Sequence, residues 1–338
     1  MLFKKLFVLA LLVIATEQLI YYSLVKKYLP LFWGNEDIAT KIQYLKKHQA
    51  INTIFIGSSK VKTQIKPAVF DSVTNHLTRS FNLGCNGLFI PEAFNVLEYI
   101  IDSTNIKTIF FEIRPVYHIY KENLHITRTI YYHTVGSYIN TLQNTYQSNI
   151  PLVRKVNAYS TFSIAATEKL LNFNLFEGII NYKNFNYKLF DKYYDSNGGC
   201  FVMGDEQGDQ LKASHKELDE RAALSVGYMK RFRTDSLKQL QYNSTYYNKI
   251  IAILAKATQK KLRLILLFPP ALREFEYKEI LPLLRQLSNI PQVILADADI
   301  YPELYKPENN FETDHLNAKG AVYYSIDLGK AYKKISGL

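Results

Sequence analysis

Two widely separated groups of residues carry the chemistry this chain could perform. The first is Gly57-Ser58-Ser59, which ends the apolar run Ile54-Phe55-Ile56. Glycine permits a sharp turn, and hydroxyls placed directly after a buried strand stand where open α/β sheets hold their sites. A serine there becomes a nucleophile if a histidine reaches it. Of the seven histidines, His315 has the informative setting, within Phe311-Glu-Thr-Asp-His315-Leu-Asn-Ala-Lys-Gly-Ala321. Glu312 and Asp314 both lie within three residues of this imidazole, so either could fix its tautomer as the acid of a triad. Glu312 is the preferred acid and Asp314 the alternative, because adjacent side chains in extended backbone point to opposite faces. The chemistry in view is attack by Ser59 on an ester or thioester carbonyl, with His315 as the base.

The elements that must position these groups follow from apolar spacing. Ile54 to Ile56, Arg79 to Leu83, Thr108 to Ile113, Leu262 to Phe268 and Pro291 to Asp297 read as strands, the central ones unbroken by polar residues as in a parallel sheet covered on both faces. Helices are expected from Asp37 to Gln49, from Pro67 to Asp71, from Pro91 onward with Phe94, Leu97 and Ile101 inward, and from Glu279 to Ser288. Asn317 is a good N-cap for a last helix through Leu328. Strands alternating with helices imply an α/β fold, a flavodoxin-like three-layer α/β/α arrangement around a parallel sheet. No sheet strand is legible between Val116 and Lys260, so residues 116–260 are expected to form an inserted cap. Within it, Ser137 to Leu170 and Lys216 to Gln259 have helical spacing, while Asn181 to Phe190 alternates as a strand or hairpin would.

These motifs, in this order, resemble the SGNH (GDSL-like) hydrolase superfamily, in which G-x-S follows the first strand, a glycine the second, an asparagine the third, and D-x-x-H comes last. Gly57-Ser58-Ser59 is similar to the first block, which implies Ser59 as nucleophile. Ser80-Phe-Asn-Leu-Gly84-Cys-Asn-Gly87 resembles the second and implies that the Gly87 N–H joins that of Ser59 in an oxyanion hole. Glu312-Thr-Asp-His315 is similar to the last, with glutamate in place of aspartate. The third block is absent; Glu112, Arg114 and Pro115 stand at the end of that strand. Glu112 and Arg114 are therefore candidate substrate contacts, with a strand-end ion pair as the plainer reading, and Asn86 is a candidate replacement for the missing side-chain donor. A G-S-S block behind an N-terminal anchor resembles membrane-tethered proteins of acyl transfer to cell-envelope polymers. The resemblance implies a serine acyl hydrolase or O-acyltransferase acting on cell-envelope or extracellular polysaccharide esters. Its partners would be an acylated carbohydrate or acyl donor and a membrane-bound acyltransferase. The alternative is a catalytically weak subunit of the same fold that binds glycan or presents it to such an acyltransferase.

The first residues bear on location. Lys4-Lys5 precede an apolar stretch that resumes after Glu17-Gln18 and reaches Val25, long enough to cross a bilayer. Residues 1–27 are read as an uncleaved anchor, the alternative being a signal peptide cut after Ala15, with residues 28–338 as the α/β domain outside a bacterial-type cell membrane. Glu17 within the span would pair with a partner helix or sit near an interface. The chain has 338 residues, 48% of them hydrophobic, and 41 Lys and Arg against 30 Asp and Glu, a formal charge of +11. That excess suits anionic lipid or acidic glycan; no arginine-rich run or nucleic-acid motif accompanies it. Cys85 and Cys200 make neither a disulfide framework nor a metal site. His118, His125 and His133 lack metal spacing and, with Tyr117, Tyr120, Tyr131 and Tyr132 around them, read as structural or as sugar-stacking surface. No cofactor motif occurs.

Overall fold

A computed structural model of the chain describes residues 2–25, 32–88, 90–115, 127–131, 135–148, 151–173, 175, 180, 187–201, 215–234, 241–271 and 273–337. It is a mixed α/β protein with a five-stranded parallel sheet and an apolar N-terminal helix, α1 (Leu2–Ile20). The strands β1 (Thr53–Ile56), β2 (Ser80–Asn82), β3 (Thr108–Glu112), β4 (Arg263–Phe268) and β5 (Gln292–Ile294) lie in the order β2-β1-β3-β4-β5. The chain reverses direction along the sheet at β1, so β1 and β3 are neighbours, with Ile54 opposite Ile109 and Ile56 opposite Phe111.

Side chains alternate across a strand, and the two resulting rows feed two cores. Ile54, Ile56, Ile109, Phe111, Leu264 and Leu266 join one cluster. It is completed by α2 (Glu36–Lys47), α5 (Ile90–Ser103), α11 (Ser244–Gln259) and α12 (Glu274–Gln286). Phe55, Phe110, Ile265, Leu267 and Val293 join the other, against Phe70 of α4 (Pro67–Val73) and Tyr324, Leu328 and Tyr332 of α13 (Ala318–Ser336). Each such aliphatic or aromatic side chain contributes roughly 1.5–3 kcal/mol by leaving water. Both faces being covered explains why the middles of these strands are unbroken by polar residues, which stand at the strand ends.

The long connection between β3 and β4 contains α6 (Thr127–Tyr131), α7 (Val135–Gln147), α8 (Leu152–Leu170), α9 (Tyr187–Asn197) and α10 (His215–Arg233), ahead of α11. The strand-like reading of Asn181 to Phe190 is corrected over its described part, since residues 187–190 begin α9, while 181–186 lie outside the described residues. The aromatic alternation there misled: Phe190, Tyr193 and Tyr194 recur at helical spacing, and Tyr194 meets the Tyr44 and Phe81 rings at 5.4 and 5.7 Å. Helix α12 begins at Glu274, five residues before the expected Glu279, because Glu276 turns back to accept the Arg273 N–H at 2.8 Å. Of the tyrosine- and histidine-rich group, only Tyr131 is described; it packs against the rings of Tyr21 and Trp33.

Candidate active site

The carboxyl end of β1 assigns different work to its two serines. Ser58 has extended backbone and caps the short helix α3 (Ser59–Gln64), its hydroxyl accepting the Lys60 N–H. Its own N–H and Oγ–H donate to the two oxygens of Glu112, at 2.5 and 2.9 Å. Glycine at position 57 is what lets that carboxylate in: a Cβ there would lie 2.4 Å from Glu112 Oε2 and 2.4 Å from Val61 Cγ2. Ser59 is left as the first helical residue with its hydroxyl directed elsewhere.

The histidine arrives on a short hairpin. Strand β6 (Asn310–Glu312) pairs antiparallel with β7 (His315–Leu316), Glu312 standing opposite His315 across the Thr313-Asp314 turn. His315 Nδ1 lies 2.5 Å from Glu312 Oε1 and Nε2 lies 2.8 Å from Ser59 Oγ. A carboxylate only accepts, so Glu312 holds the ring proton on Nδ1 and leaves Nε2 to accept the proton of Ser59. Asp314 turns away to the Lys60 ammonium, 2.9 Å distant, and Lys60 also donates to the Pro270 carbonyl at 2.9 Å. Burial works to raise the Asp314 carboxyl, but Lys60, His315 and Arg221 outweigh it and hold the group well below the usual carboxylate range.

Several residues that sequence reasoning passed over hold this hairpin in place. Arg221 of α10, almost wholly buried, donates to the carbonyls of Pro270 and Ala271, each at 3.1 Å, and to that of Thr313. The Thr313 hydroxyl donates to Glu217 Oε2 at 2.9 Å. Behind the hairpin, Asn317 caps α13 by accepting the Gly320 N–H at 3.0 Å. A Cβ on Gly320 would fall 2.0 Å from the Asn309 carbonyl, so the glycine of the His-Leu-Asn-Ala-Lys-Gly string sets how closely α13 approaches.

On the other side of Ser59 runs the turn after β2. The Cys85 N–H donates to the Gly57 carbonyl at 2.9 Å, placing this turn beside the serine loop. Buried Lys41 donates to the Gly84 carbonyl at 2.6 Å and Arg128 Nη1 to that of Asn86 at 2.5 Å. Arg128 is fixed in turn by Glu92, a buried carboxylate 2.8 Å away that also accepts from Asn35 at 2.7 Å. Burial pushes the Cys85 thiol up to about 11, so it is a packing residue and not a thiolate. Gly87 has φ +58°, the left-handed region that favours glycine. Among the described residues the N–H groups of Ser59 and Gly87 have no hydrogen-bond acceptor, and the exposed Asn86 side chain makes no hydrogen bond.

Glu112 and Arg114, the candidate substrate contacts, do not pair with each other. Glu112 is 2% exposed and is engaged by Ser58. Arg114 donates to the Leu88 carbonyl at 3.3 Å. A cavity of about 70 Å³ beside Ser59 is lined by Arg114, Arg273, Phe268, Phe275 and Lys60, with Glu276 and Asp314 also on its wall, and among the described residues neither arginine side chain is paired with a carboxylate. Asn86 and Gly87 are not part of that lining. No group of three His, Cys, Asp or Glu among the described residues is arranged to hold a metal; His118, His125 and His133 lie outside them. Lys60 could have been suspected from its place after Ser59, whereas Arg221 and Arg128 carry no local signal. Compared with known proteins, the chain matches no family model and no curated protein.

Proposed function

We propose that the chain is a membrane-anchored serine acyl hydrolase or O-acyltransferase of SGNH (GDSL-like) type, acting on esters of cell-envelope or extracellular polysaccharide. The observation that carries this reading is the chain of hydrogen-bonding distances from Ser59 Oγ through His315 to Glu312, at the carboxyl end of a parallel strand. The strand order, with apolar clusters on both sheet faces, fits a flavodoxin-like three-layer fold. In the first half-reaction Ser59 Oγ adds to the acyl carbonyl as its proton passes to His315 Nε2. The tetrahedral adduct collapses to acyl-Ser59, and the departing alcohol takes that proton. Water or a glycan hydroxyl, deprotonated by the same nitrogen, then attacks the acyl-enzyme; the acyl–Oγ bond breaks, Ser59 Oγ takes the proton back from His315, and acid or new ester leaves. The N–H groups of Ser59 and Gly87 would receive the oxyanion, and Arg114 supplies a cation at the cavity edge.

A second reading, a glycan-binding subunit working with a membrane acyltransferase, is favoured by one observation. The side chain at the end of β3 that should complete the oxyanion hole is Glu112, and it is spent on Ser58. The two are separated by a fluorophosphonate probe. The enzyme reading expects covalent labelling of Ser59, lost in Ser59→Ala and His315→Ala; an unlabelled, folded wild-type protein leaves only the binding subunit.

A further inference from the structure

Helix α8 (Leu152–Leu170) has its faces inverted relative to an ordinary surface helix. Thr161, Phe162 and Ala165 point into the protein. The outward face carries Leu152 and Val153, 74% and 72% exposed, followed by Val156, Ile164 and Leu170. The positions between them on that face are Ser160, Ser163 and Thr167, all exposed and uncharged. Lys155, Glu168 and Lys169 stand only half exposed at its flanks, and Arg154 is the one exposed charge of the helix, on the opposite side from Val156. A helix facing water shows charge on its outer face, so this surface is built for something other than water.

The end of the helix says what covers it. Leu171 and Phe173 extend the exposed apolar surface. At this corner Gln18 Nε2 donates to the Leu170 carbonyl at 2.8 Å, and Asn172 Nδ2 donates to the Glu17 carbonyl at 3.0 Å. The surface of α8 is thereby continuous with the apolar stretch Phe3–Ser23, the one stretch among the described residues that is long and apolar enough to cross a membrane. Gln18 lies five residues before the end of that stretch, about 8 Å at 1.5 Å per residue. That depth matches the 5–10 Å at which interfacial amphipathic helices settle at the boundary of head groups and acyl chains. We propose that α8 lies in this boundary layer of the bilayer that α1 crosses, so that the domain is docked on the membrane by a second element and not merely tethered to it. The proposal is independent of Ser59 chemistry.

The test uses the full chain in vesicles of phosphatidylcholine and phosphatidylglycerol. Cys85 and Cys200 are both buried, so a thiol-reactive fluorophore will report on an introduced Val156→Cys, with Ile164→Cys as a second site on the same face and Arg154→Cys as the opposite-face reference. Lipid carrying a nitroxide near the head group should quench the label at 156 and 164 at least about twofold more than at 154, and aqueous iodide should do the reverse. The pattern should survive dilution of the protein with excess lipid. Equal iodide quenching at all three sites would overturn the proposal. So would shielding of 156 and 164 that disappears on dilution, since it would assign the face to a second copy of the chain.

Discussion

Ser59 and His315 are 256 positions apart in the chain, yet their hydrogen-bonding atoms lie 2.8 Å apart, and the choice of acid is made just as locally. Glu312 has the geometry of the orienting acid, and Asp314 is committed to Lys60. Glu312→Gln should therefore lower acyl-ester turnover about 10⁴-fold, as an amide-for-acid change does in a template triad, because the imidazole loses its fixed tautomer. Asp314→Asn should change turnover far less and act on stability instead. The folded-state pKa of Asp314 is depressed, so its stabilisation is complete above the unfolded value and is lost as pH falls through the folded one. Thermal unfolding should show the wild type ahead of Asp314→Asn at neutral pH, with the gap narrowing below about pH 4. A gap that widens on acidification would contradict the Lys60 assignment.

Among elements, the turn after β2 depends on a buried ion pair reached from the long connection. Arg128→Met strips Glu92 of its cation and should cost about 3–5 kcal/mol, read as a shift in denaturant midpoint. Because Arg128 also holds the Asn86 carbonyl, activity should fall with it. The double variant Arg128→Met with Glu92→Gln should regain stability without regaining rate. At the serine loop, Glu112→Gln keeps the shape but supplies one acceptor where Ser58 presents two donors. A loss of about 1–3 kcal/mol is expected, with a lowered kcat and little change in KM. An unchanged midpoint would show that Glu112 does not bear on Ser58.

At the scale of the whole molecule, α1 meets the domain near its end, through Glu17 and Gln18 and then Tyr21 just beyond it, while most of the helix is exposed. The Glu17 carbonyl accepts from Asn172 at this corner, while its carboxylate oxygen Oε2 is buried with no hydrogen-bond partner among the described residues. The protein should remain with membranes through high salt and alkaline carbonate and leave only with detergent. Mass spectrometry of the membrane fraction should recover the Phe3–Ser23 stretch still joined to the domain. A soluble form beginning at Thr16 would instead assign the stretch to a cleaved signal peptide.

Strand and helix identities near the site were legible in the amino-acid sequence because apolar period and capping are local properties: Ile54 to Ile56, Thr108 to Glu112 and the Asn317 cap needed no partner to be recognised. The same held for Ser59 and His315, whose neighbours made them chemically distinctive. Tertiary structure alone decided the rest. Which serine is buried follows from Glu112 crossing from β3 to β1, a contact between strands adjacent in space and 54 positions apart in sequence. Glu312 is preferred over Asp314 from alternation alone, and what the hairpin of two very short strands adds is the 2.5 Å approach of its carboxylate to the imidazole. Arg128 and Arg221 sit in a connection whose helical pattern is ordinary, and their burial against carbonyls of distant loops leaves no trace in local spacing.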